Sequence, residues 1–263
     1  MKKSLETIQV KHEEPLTWVI LDRPEYSNAF NTKMAEEMLL VFEGLISKDF
    51  KTRCVILTGS GDKAFCAGGD LKQRNGMSDE QWFDQHEVFE ELARLLMKFP
   101  LPVIGAINGA AFGGGLELTL ACDFAYAASH ARFALPETSL GIIPGMAGTQ
   151  YLPRAVGAMR AKEIILTGSP FSAQQAYDWG IVNEVFEGDK LMGAVKSVAE
   201  RIAKNAPISI ENALKSINHA RFADLNRDYQ FELDCYKTTI SSKDRREGVS
   251  AFNEKRRPNF TGK

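Results

Sequence analysis

The sequence predicts an α/β fold over residues 1–190 followed by a helical region over residues 191–263, and three observations carry that reading. Runs of strand length, such as Cys54–Thr58 and Val103–Ile107, are apolar throughout, as strands buried inside a layered sheet are. Between such runs lie longer stretches whose apolar residues recur at helical spacing. After about Gly168 the segments become helical in character, over Ser172–Trp179, Leu191–Lys204 and Ile208–Ala220, with Pro207 separating the last two.

In chain order, Ile8–Lys11 and Thr17–Leu21 are rich in β-formers and flank the polar turn His12–Pro15. Pro24 ends the second strand, because the residue before a proline is pushed away from helical angles. Asn31–Ile46 places Met34, Met38, Val41, Phe42, Leu45 and Ile46 at helical spacing, with Asn31 or Thr32 as the N-cap. Cys54–Thr58 is a buried strand entering Gly59-Ser60-Gly61, and Phe65 leads into the glycine-bearing loop Cys66–Asp70. Asp79–Lys98 is a helix with the stripe Trp82, Phe83, Phe89, Leu92, Leu95 and Leu96, closed by Pro100 and Pro102. Paired strands precede several helices, so the recurring unit is ββα. The helical tail cannot bury its apolar face alone and must pack on its own core or on a neighbouring subunit.

A chain of 263 residues with 44% hydrophobic composition can bury a full core, and a net charge of −2 gives no support for a nucleic-acid partner. The opening MKKSLETIQV lacks the apolar stretch of a secretory signal, and no run approaches the ~18 apolar residues of a membrane span; a cytoplasmic location is expected. Cys54, Cys66, Cys122 and Cys235 are far apart with no CxxC, which suits reduced and mostly buried thiols. His12, His86, His130 and His219 show no metal-ligand spacing.

The densest chemical signal lies between Gly105 and Gln150. A strand ends near Ile107, the small-residue loop Asn108–Gly115 follows, and Leu116–Ala121 continues as apolar helix. Three consecutive glycines at a helix start let something other than protein approach the backbone, where amides and the helix end favour developing negative charge; the same glycines also suit close packing of a buried helix on the sheet. Glu117 stands in that apolar helix, where a carboxylate is costly unless bonded or employed, and where burial raises its pKa. Glu137 follows a short apolar strand in Phe133–Gly141, while Asp123 suits a cap or turn. A second amide from the Cys66–Asp70 loop completes an oxyanion hole, and neither loop matches a P-loop or a dinucleotide fingerprint.

Taken together these segments resemble the enoyl-CoA hydratase and isomerase family, the crotonase superfamily, essentially from end to end. The resemblance implies a crotonase-like spiral of ββα units with a C-terminal helical region. Leu21–Asn31 resembles the early loop that wraps the CoA moiety, which puts Asn28 and Ala29 beside the pantetheine. Phe65–Leu71 resembles the first oxyanion loop, with the Ala67 amide as donor and Asp70 and Leu71 also near CoA. Ile107–Leu118 resembles the second, with the partner amide at Gly114, and Ala134–Gly145 the segment carrying the second acid, Glu137.

Two filled glutamate positions imply a hydro-lyase that adds water syn across the 2,3 double bond of an enoyl-CoA, or removes it. Glu117 would take a proton from water and Glu137 would supply one to the α-carbon. No separate cofactor is implied, since coenzyme A is part of the substrate. Lys255, with Arg256 and Arg257, would reach CoA from the C-terminal helix, and a homotrimer or hexamer is expected. Met146-Ala147 departs from the small residues of many members; Met146 either reshapes the acyl pocket or fills core space. Rival readings are an enoyl-CoA isomerase, another crotonase-type lyase or hydrolase, and a noncatalytic CoA-binding or RNA-associated member.

Overall fold

The computed structural model describes residues 5–46, 51–205, 207–222, 233, 236, 237, 240 and 242–258. Ten strands among them form two sheets. The larger has the order β1 (Ile8–Glu13), β2 (Leu16–Leu21), β3 (Cys54–Gly59), β5 (Val103–Ile107), β7 (Phe124–Ala128), β10 (Glu184–Phe186), parallel except for the β1/β2 hairpin. The smaller has β4 (Ala64–Cys66), β6 (Ala110–Phe112), β8 (Arg132–Ala134) and β9 (Phe171–Ser172), parallel except for β8/β9.

The ββα repeat explains this division. In β3/β4, β5/β6 and β7/β8 the first strand joins the large sheet and the second the small one, so each unit turns the chain by one step of a spiral. The fold is α/β, a spiral of ββα units with a C-terminal helical region, as expected.

The large sheet is covered on both faces, which is why β3 is buried at every residue. One face packs with α1 (Thr32–Ile46) and α3 (Asp79–Met97) through Met34, Met38, Phe42, Phe89 and Leu92. Asn31 caps α1, its Oδ1 accepting from the Met34 amide at 2.9 Å. The other face, with Leu16, Trp18, Ile56 and Ile104, is covered by Leu191, Val195 and Ala199 of α8 (Gly188–Ala203). The expected boundary at 190/191 falls inside this helix, because its apolar stripe is the cover that the sheet lacks.

Between them come α4 (Gly114–Ala121), α5 (Gly148–Val156), α6 (Ala158–Thr167) and α7 (Ala173–Asp178). Beyond α8 lie α9 (Pro207–Phe222) and α10 (Lys243–Asn253). Helix α10 packs on its own chain, against the short helix α2 (Leu71–Arg74) and the 3-10 turn Glu137–Leu140. Glycine permits the approach: a methyl on Gly248 would lie 2.2 Å from the Leu140 carbonyl oxygen. Cys54, Cys66 and Cys122 are free and buried, and burial pushes the Cys54 and Cys66 thiols up to about 12; Cys235 lies outside the described residues. No helix among the described residues is long and apolar enough to cross a membrane.

Candidate active site

Three adjacent strands of the small sheet end at one place. After Cys66 comes Ala67–Asp70, after Phe112 come Gly113 and Gly114, and after Ala134 come Leu135, Pro136 and Glu137. The parallel pairing of β4 with β6 and of β6 with β8 aligns these exits, and the carboxyl ends of parallel strands are where open sheets bind ligands. A cavity of about 420 Å³ opens there, lined by all three segments, by Ser27 and Ala29, by Arg74, His86 and Phe89, and by Met146, Tyr236 and Phe252.

The two glycine loops touch. A methyl on Gly114 would lie 4.0 Å from the Gly68 Cα, and one on Gly115 would lie 2.1 Å from the Cys66 carbonyl oxygen, so α4 meets β4 backbone to backbone. Gly113 adopts φ +51°, a left-handed value, and a methyl there would be 2.9 Å from Glu137 Oε1. The Gly114 amide, in the first turn of α4, has no acceptor among the described residues.

The first loop corrects the expectation for Ala67. Its amide donates to the Ser27 carbonyl at 3.1 Å and is therefore spent inside the protein. The Phe30 amide donates to Gly68 O at 2.7 Å and the Asp70 amide to Phe30 O at 3.0 Å. These two bonds straddle Gly69 in a parallel bridge with Phe30, so the Gly69 N–H turns the opposite way. It has no acceptor among the described residues, and Gly69 lines the cavity. The unengaged amide of this loop is at Gly69, two residues beyond Ala67.

Glu117 is 3% exposed, and its Oε1 accepts from the Met146 amide at 2.7 Å and the Gly148 amide at 2.8 Å. Burial pushes its pKa up to about 7, against the downward pull of those amides and of the Arg74 guanidinium. Glu137, 8% exposed, lines the same cavity from the turn after β8. Asp123 takes the turn role, accepting from the Val103 amide at 2.8 Å. Met146 joins the main core and also lines the cavity, with its sulfur 3.8 Å from a methyl built on Gly114.

The residues expected beside CoA divide. Ala29 and Leu71 line the cavity. Asn28 does not: it is 1% exposed, and its side chain accepts from the Arg23 amide and donates to the Ser60 and Ala64 carbonyls at 2.9–3.0 Å, which holds the loop itself. The Asp70 carboxylate is likewise occupied, capping α2 and pairing with Arg23 at 2.9 Å, although the residue borders the cavity. Lys255 is exposed just beyond α10 and is not among the lining residues; Phe252, from the same helix, is.

Sequence reasoning missed Arg74, His86 and Tyr236. Arg74 carries no local signal in the sequence, yet it is 6% exposed with its guanidinium carbon 4.3 Å from the Trp82 ring centre. His86 carried a signal, since it falls at helical spacing between Trp82 and Phe89 on the apolar stripe.

Residues 11–263 match the family described as enoyl-CoA hydratase/isomerase. The chain belongs to this family. It is 43% identical to the putative enoyl-CoA hydratase/isomerase YngF of Bacillus subtilis, over 96% of each chain. It is 36% identical to the crotonyl-CoA hydratase of Syntrophomonas wolfei, over 98% of this chain and 99% of that one. An enoyl-CoA hydratase from Bacillus anthracis superposes with a TM-score of 0.81 at 42% identity, covering 98% of this chain and all of that one. As a member of the enoyl-CoA hydratase/isomerase family the protein acts on an acyl-CoA type of substrate, with chemistry of the general hydratase/isomerase kind.

Proposed function

We propose that this family member adds water syn across the 2,3 double bond of an enoyl-CoA thioester, or removes it. The observation that carries the reading is a pair of buried carboxylates, Glu117 and Glu137, lining one cavity beside two unengaged backbone amides. The thioester oxygen lies between the amides of Gly69 and Gly114, where charge develops as water adds. Glu117, with a pKa of about 7, takes a proton from the water as its oxygen bonds the β-carbon. The enolate then takes a proton at the α-carbon from Glu137, and proton exchange with solvent resets the two acids. Dehydration runs the same path backwards.

The pantetheine follows Ser27–Ala29, and Lys255 meets the phosphates beyond the cavity mouth. A trimeric or hexameric assembly and a cytoplasmic setting belong to the same reading. Mass spectrometry of products from short linear, branched, cyclic and aromatic 2-enoyl-CoA thioesters tests it. The mass of one water gained on at least one of them is expected. A shifted double bond without mass change would instead favour the isomerase reading, and loss of CO2 or release of free CoA would overturn the two-glutamate scheme.

A further inference from the structure

Three arginines lie in or beside this site, and two of them have carboxylate partners. Arg23 pairs with Asp70 at 2.9 Å, and the buried Arg245 bonds Asp79. Arg74, also buried, forms no ion pair with any carboxylate among the described residues. Its Nε donates to Gln85 Oε1 at 2.7 Å, and its charge rests over the rings of Trp82 at 4.3 Å and Phe89 at 5.4 Å. Arg245 lies over the same Trp82 ring at 4.6 Å, so two cations share one buried aromatic platform, and Asp79 pairs with only one of them. The Arg74 charge acts on the Glu117 carboxylate across the cavity, but no carboxylate among the described residues lies within ion-pair distance of it, and it borders the cavity.

Beside it, His86 is 2% exposed and stacked on Tyr236 at 3.9 Å, with both ring nitrogens buried and lacking a hydrogen-bond partner among the described residues. Glu90 Oε1 stands 3.8 Å from its Nε2, beyond hydrogen-bond reach. His86 too lines the cavity. A buried imidazole whose ring nitrogens make no hydrogen bond of good geometry, beside a guanidinium with no ion pair among the described residues, makes a corner that a carboxylate fits: the flat fork of arginine bonds both oxygens, and a neutral imidazole supplies one further N–H. We infer that the preferred substrate is a 2-enoyl-CoA whose acyl chain ends in a carboxylate, and that Arg74, helped by His86, recognises that end.

The phosphates of CoA are a poor match, since the pantetheine arm holds them far from the thioester, while Arg74 Nη1 lies 3.4 Å from where a methyl on Gly69 would be. The inference rests on the enoyl-CoA reading but is testable without turnover. Calorimetry with two saturated thioesters, glutaryl-CoA and pentanoyl-CoA, isolates the terminal carboxylate. Wild type should bind glutaryl-CoA at least about tenfold more tightly. Arg74→Gln should bring the ratio of the two affinities near one, and Arg74→Lys should restore part of it, a point charge without the fork. Equal or weaker binding of glutaryl-CoA by wild type overturns the inference, whatever the variants do. Equal losses on both ligands in Arg74→Gln would assign the guanidinium to the thioester end and overturn it as well. Failed hydration in the earlier test leaves this binding ratio readable, so the two readings fail separately.

Discussion

One wall of the cavity is made of backbone and the other of side chains. On the first, Gly68, Gly69, Gly113 and Gly114 present main-chain groups at the ends of paired strands, and Glu117 is anchored by two further amides. On the second, Arg74, His86 and Tyr236 are set by stacking and by single hydrogen bonds drawn from α2, α3 and the region before α10. The backbone wall has almost no freedom, because its strands are in register and its helix touches them without intervening side chains. The side-chain wall can change by substitution without moving a strand. On the proposed reading, reaction chemistry sits where geometry is most constrained, and substrate choice where a point mutation alters it.

The sharpest way to test this contrast is Glu117→Gln, which keeps an acceptor for the Met146 and Gly148 amides but removes the proton-exchanging group. Turnover should fall by about 10³-fold. Stability should move the opposite way. Folding raises the carboxyl pKa from an ordinary 4.5 to about 7, so its contribution to stability is present in full below 4.5 and lost as the pH rises through about 7. The variant should therefore match wild type near pH 4.5 and exceed it at pH 8, by on the order of 3 kcal/mol. Urea denaturation at the two pH values reads this; a variant less stable at pH 8 would show Glu117 to be a structural anchor.

Gly115→Ala attacks the backbone wall directly, since the new methyl would meet the Cys66 carbonyl oxygen at 2.1 Å. Parting α4 from β4 should cost about 3 kcal/mol or more and abolish turnover together with stability, as thermal unfolding and rate would show. The corresponding change on the other wall is milder. Trp82→Phe removes the Nε1–H that donates to Tyr236 Oη at 3.0 Å and weakens the platform under Arg74. A loss of about 2 kcal/mol is expected, with KM rising more than kcat falls. A fall in kcat alone would erase the distinction between the walls.

The backbone wall was legible in the sequence because glycine runs and a carboxylate within an apolar helix are local anomalies, readable within a few residues. The exception is instructive. Ala67 and Gly69 belong to one loop, and only the bridge between Phe30 and Gly69 decides which amide is left without an acceptor at the cavity. Asn28 likewise looked like a ligand contact; its three bonds to backbone groups of Arg23, Ser60 and Ala64 make it a support for a loop whose neighbours Ser27 and Ala29 line the cavity.

By itself the sequence determined the ββα alternation, the buried strands, the amphipathic helices and the two acid-bearing segments, because periodicity and composition report what each short stretch must bury. Tertiary structure alone decided which main-chain amides remain unspent, that α8 completes the large sheet, and that α10 leans on its own chain's site. It also brought Arg74 and Tyr236, 162 positions apart along the chain, to one corner. Hydrogen-bond partners and charge pairing at such separations depend on register and packing, which no local pattern encodes.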